Sequence, residues 1–163
     1  MAVDDDLPGD GRDETETERL DRNWNDILQE TRVVQTGTQI LMGFLLAIVF
    51  QARFEELDGY QLAVYLALVG FASLATLLAI APVSMHRALF RQRAKRSLVA
   101  TANVLLIATL AAVLVTLAGT ALLIFDMVAG HGAGFIAGAI VLVLGVIAWF
   151  VLPSLTRIRM RRA

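Results

Sequence analysis

The chain has no cysteine in its 163 residues. Disulfides, thiolate metal sites and cysteine nucleophiles are therefore excluded. Charge is also scarce, at 18%, against roughly a quarter in an average soluble domain. No apolar segment precedes the acidic N-terminal stretch, so no cleavable signal peptide is expected. Also missing are a phosphate-binding glycine loop with lysine, a G-x-S-x-G nucleophile turn and an H-E-x-x-H pair. No catalytic constellation is visible, so no enzyme and no cofactor are expected.

What is present is hydrophobic, at 57%, and sharply segregated from charge. Four stretches carry no Asp, Glu, Lys or Arg: Val33–Ala52 with 20 residues, Gly59–Met85 with 27, Ser97–Phe125 with 29, and Met127–Thr156 with 30. A helix rises about 1.5 Å per residue, so roughly 20 residues cross a hydrocarbon core about 30 Å thick. Each stretch can cross once, and none is long enough to cross twice. Inside lipid a backbone must satisfy its own hydrogen bonds, and no stretch alternates as a barrel strand would. The expected fold is all-α, an integral membrane bundle of four transmembrane helices. The first stretch is the weakest, because it carries Gln35 and Gln39.

Charge placement sets the expected orientation. Thirteen of the fourteen Lys and Arg residues fall in the N-terminal arm, the connector around residues 87–96 and the C-terminal tail. Only Arg53 falls on the other side. Basic residues stay cytoplasmic, so both termini are expected inside, at a bacterial inner membrane. His86 and His131 then lie at opposite faces and cannot share a metal. Asp126 falls at the outer end of the third span, and no ionisable group lies at mid-membrane, where ion-coupled carriers usually hold one. The "GHGAG" run at 130–134 reads as a flexible external turn.

The chain divides by composition. Residues 1–17 are acidic, with little apolar content, and are expected to be a disordered tail. Residues 18–32 repeat Leu20, Trp24, Ile27, Leu28 and Thr31 at helical spacing and read as an amphipathic cytoplasmic helix. That helix either lies on the membrane surface or leads straight into the first span. Residues 33–156 form the transmembrane domain, and 157–163 a basic cytoplasmic tail.

Three groups of residues are candidates for function. Asn25, Gln29, Arg32, Gln35, Thr36 and Gln39 share one third of a helix circumference. Lipid cannot hydrogen-bond amides, so this strip is expected to face protein, through packing within the bundle or at the mouth of a polar pathway. Trp24, Arg87, Arg91 and Lys95 are candidate lipid-headgroup contacts. The basic run needs no nucleic-acid partner, since orientation alone explains it. Gly130, Gly134, Gly138 and Gly145 are candidate helix-packing positions, within one chain or between copies. The expected partners are membrane lipids and either a second copy or another membrane protein.

The stretches "RLDRNWNDILQETRVVQTGTQILMGFLLAIVFQARFEELDGYQ" and "APVSMHRALFRQRAKRSLV" resemble an uncharacterised bacterial family of small four-helix membrane proteins. The likeness covers about Arg19–Asn103. Some members carry the label sodium:proton antiporter. The resemblance implies the four-helix membrane fold and supplies no catalytic or binding residues. Together these features point to a non-enzymatic membrane protein with a structural, interaction or accessory role. The alternative is a small monovalent cation or proton transporter, or a channel subunit.

Overall fold

The computed structural model describes residues 15–88 and 95–160. Among them every element is helical and no strand occurs. Helix α1 is Glu16–Ile48, and a 3-10 turn at Ala52–Glu56 leads into α2, Gly59–Ala88. Helix α3 is Lys95–Ala129. Helix α4, His131–Val146, continues through a wider π-type turn at Ile147–Val151 into α5, Leu152–Met160. Three rods are long and apolar enough to cross a membrane: Gly59–Ala88, Ser97–Ala129 and His131–Thr156.

Helix α1 is unbroken, so the boundary between residues 32 and 33 is one of composition and not of backbone. It starts within the stretch expected to be a tail. Thr15 and Glu18 form a reciprocal cap: the Thr15 N–H donates to Glu18 Oε2 at 2.8 Å and the Glu18 N–H to Thr15 Oγ1 at 3.4 Å. Bonds from the Thr15 backbone and hydroxyl hold the Glu18 carboxyl below its ordinary pKa. The rest of the tail, residues 1–14, lies outside the described residues.

One face of α1 is buried through Ile27, Thr31, Thr38 and Leu45, spaced by four and seven residues. This seam packs on α2 and α3. Helix α2 answers with Tyr65, Leu68, Ala72, Ala75, Ala79 and Pro82, alternately three and four apart, as two packed helices require. Helix α2 continues six residues beyond Pro82. Helix α3 is central, burying Thr109, Ala112 and Thr116 among others. The hydroxyls of Thr38, Thr109 and Thr116 donate to the carbonyls of Val34, Leu105 and Ala112, each at 2.8 Å. Buried threonine is therefore tolerated here without a partner helix.

Thr31 is the exception. Its side chain is buried, and among the described residues its hydroxyl has no partner. An unpaired buried hydroxyl costs about 1–3 kcal/mol. Thr31→Val, similar in shape, is expected to raise stability by about 1 kcal/mol in a detergent unfolding titration, whereas Thr38→Val should gain little. Equal responses at the two positions would refute this account.

The end of the α4 rod is shaped by Pro153. Proline lacks an N–H and its ring crowds the carbonyl four residues back, here that of Trp149. The turn just before it widens to π spacing, with the Leu152 N–H bonding Ile147 O, five residues away.

Candidate functional site

Two arrangements stand out, one where α3 turns into α4 and one along α1. The first begins with Gly130. It is the one residue between the two helices, and its φ of 86° is a backbone state that favours glycine. The chain reverses there in a single step. The "GHGAG" run is thus a helix start and not a flexible turn: His131 is the first residue of α4, and the Gly134 N–H bonds Gly130 O at 3.2 Å.

That tight reversal lays α4 directly on α3. A Cβ on Gly134 would stand 2.8 Å from Leu122 O and from the Asp126 Cβ. One on Gly138 would stand 2.9 Å from the Leu122 Cβ, and one on Gly145 would meet the Leu114 side chain. Gly134, Gly138 and Gly145 therefore form an intrachain contact with α3, and Gly130 has the separate task of reversing the chain. Gly119, two turns before Asp126 on α3, meets Leu68 of α2.

The reversal also buries a carboxylate. Asp126 is only 4% exposed. Its Oδ2 accepts from Gln61 Nε2 at 2.7 Å, and its Oδ1 lies 2.5 Å from His131 Nδ1. Gln61 uses its amide at both ends. Its Oε1 accepts from the Asp58 N–H at 3.1 Å, while the Gln61 N–H donates to Asp58 Oδ1 at 2.8 Å. This is a cap on α2 whose glutamine also grips α3. The His131 imidazole is 62% exposed and meets the Tyr60 ring edge-on, with centroids 5.4 Å apart. The Asp126 carboxylate lies beside the first turns of α2 and α4, the positive ends of those helices. Three helix ends are thereby tied through one acid. Among the described residues no group of three or more His, Cys, Asp or Glu side chains could hold a metal.

The second arrangement is the polar strip. Asn25, Gln29, Arg32, Thr36 and Gln39 are exposed and Gln35 is half-buried. Among the described residues the strip, Gln35 apart, turns away from the other helices, and the opposite seam, Ile27 to Leu45, makes the contacts. Asn25, Leu28, Gln29, Arg32 and Val33 line an open groove of about 490 Å³. Thr36 satisfies its hydroxyl on Arg32 O at 2.9 Å.

The two ends of α1 fix its register on α2. Trp24 stacks on His86, with centroids 5.2 Å apart and planes at 17°. Near the other end, the Tyr65 hydroxyl donates to Leu45 O at 3.0 Å, and Phe54 meets the Tyr65 ring edge-on. Twenty-one residues separate the contacts on each helix, from Trp24 to Leu45 and from Tyr65 to His86. The helices run antiparallel and abreast over that length. Trp24 thus packs on protein, where headgroup contact was expected. Arg87 is exposed in the last turn of α2. Arg91 and the Lys95 side chain lie outside the described residues, as do residues 161–163 of the basic tail.

The sequence reading missed the joining of Gln61, Asp126 and His131. The available signal was the D-x-x-Q pattern at Asp58–Gln61, which marks a helix start. The chain belongs to a family of unknown function, DUF6328, whose pattern it matches over residues 13–153. No curated protein and no solved structure matches it.

Proposed function

We propose that this DUF6328 protein is a non-enzymatic, four-span protein of the bacterial inner membrane, with a structural or accessory role exercised through the polar face of α1. The observation that carries this reading is the register of α1 on α2. Twenty-one residues of helix are about 31 Å long, close to the thickness of a hydrocarbon core. If α2 crosses, α1 crosses beside it. Ala72 is the middle of the uncharged stretch Gly59–Met85, and the same register puts Thr38 at its level. The exposed Gln39 then lies near the mid-plane. An amide unpaired in hydrocarbon costs about 4–8 kcal/mol, so another protein must meet it. The basic residues of the connector and tails support cytoplasmic termini, an orientation in which the Asp126 cluster faces outward.

One observation favours a carrier of monovalent cations or protons instead: Asp126 is a buried acid beside an exposed histidine. It lies at one end of the bundle, however, and a carrier holds its working acid near the middle. Purified protein in liposomes, with a sodium or pH gradient imposed, decides between the two. No flux is expected, and a mild-detergent preparation should retain a bound protein chain. Flux that disappears in Gln35, Gln39 or Asp126 variants would replace this reading with the carrier.

A further inference from the structure

We infer that the partner meeting the polar face of α1 is a second copy of this chain, with the two α1 helices parallel and Gln39 opposite Gln39. The inference rests on the proposed crossing of α1 and adds the identity of its partner.

The face has the spacing of a helix-pairing seam. Asn25, Gln29, Arg32, Thr36, Gln39 and Gly43 are alternately four and three residues apart. They lie opposite the seam that binds α2 and α3. All six are exposed. Among the described residues nothing lies within 4 Å of where a Gly43 Cβ would be, so another backbone can approach closely there. Ala47, one turn on, is also small and lies on the open side.

Three physical points select a second copy. Every copy inserts with the same orientation, so paired α1 helices run parallel around a two-fold axis normal to the membrane. Each residue then meets its counterpart at equal depth, and no other protein is bound to carry an amide at that level. A carboxamide has both N–H and C=O groups, so two glutamines related by a two-fold axis satisfy each other reciprocally. A single Asn at an equivalent position fixes register and partner number in paired helices. Arg32 does not oppose this arrangement. By the register it sits beside Leu78, two turns from the Trp24–His86 level, and a side chain of that length can extend from there to headgroup phosphates.

The absence of cysteine makes the test direct. Thr36→Cys and Gly43→Cys, made singly and oxidised in native membranes, are expected to give disulfide-linked dimers. Leu77→Cys and Ile140→Cys, exposed on α2 and α4, should not. Gln39→Leu removes both bonds of the reciprocal pair, so adding it should lower dimer formation by at least about three- to fifteen-fold, the range for a single interhelical hydrogen bond in a membrane. Equal cross-linking at all four sites would mean random collision and overturn the proposal. A photoreactive benzoylphenylalanine in place of Ile40 separates the remaining outcomes. An adduct of twice the chain mass is expected. An adduct with a different protein would overturn the second copy and leave the interaction role standing. An adduct with lipid alone would overturn both.

Discussion

Asp126→Ala is expected to destabilise the protein by about 2–4 kcal/mol, measured by denaturant unfolding in detergent. The side chain is buried, with one oxygen on Gln61 and the other on His131. Its removal deletes two hydrogen bonds to a carboxylate and leaves the Gln61 amide half-satisfied between helices. Losing one member of a buried, charge-assisted network costs more than the network contributes over an apolar replacement. Asp126→Asn keeps an acceptor for Gln61 and offers an N–H to a neutral His131, so its cost should be nearer about 1 kcal/mol. His131→Ala should cost about 1 kcal/mol or less, because the imidazole is largely exposed and solvent can replace it. The descending order of cost, Asp126→Ala, then Asp126→Asn, then His131→Ala, follows from burial and from the bonds each variant keeps. An Asp126→Ala protein as stable as the parent would show that the three helix ends are not held together through this acid. The series also has a functional reading: variants that stay folded should show no flux, like the parent.

That acid marks the limit of what the sequence shows. The three apolar rods are legible from their uncharged stretches, because a backbone in hydrocarbon has few ways to satisfy itself. The partners of Asp126 are not legible by the same logic. They depend on a reversal completed in one residue, which needs the Gly130 φ of 86°. A glycine-rich run such as "GHGAG" has the same composition whether it forms a loose turn or starts a helix. Once α4 begins at His131, the imidazole falls back onto Asp126, and the acid, at the end of its span as expected, becomes a buried tie between helix ends. The polar strip fails for another reason. Polar residues in a membrane helix are expected to turn toward protein, but helix periodicity does not say which protein. The seam that α1 buries, Ile27, Thr31, Thr38 and Leu45, is itself half polar. The Thr38 hydroxyl is satisfied by its own helix, whereas a glutamine amide has to reach outward. Packing therefore takes the threonine face and leaves the glutamines for something else.

Gly134→Ala is expected to destabilise the α3–α4 hairpin, and Gly134→Leu to cost more than about 3 kcal/mol. On helix propensity alone, Gly→Ala is favourable by about 1 kcal/mol, so a loss must come from packing. The added Cβ would sit 2.8 Å from Leu122 O and from the Asp126 Cβ, and 3.1 Å from the Asp126 Cα. Two of these three atoms are backbone and cannot rotate away. The helices must separate, which loosens the Gly138 contact and pulls His131 from Asp126. Overpacking of this kind costs about 1–3 kcal/mol even for one methyl. Gly145 offers a graded comparison, since the three atoms nearest its added Cβ all belong to the Leu114 side chain, whose flexible end can move. Gly145→Ala should therefore cost less than Gly134→Ala. Gly37 supplies the opposite sign: nothing lies within 4 Å of its Cβ position, and Gly37→Ala should raise stability by about 0.5–1 kcal/mol. Unfolding midpoints of the three alanine variants in one detergent test the series. If all three gained stability alike, α4 would not rest on the backbone of α3, and the burial of Asp126 that depends on this contact would fail with it.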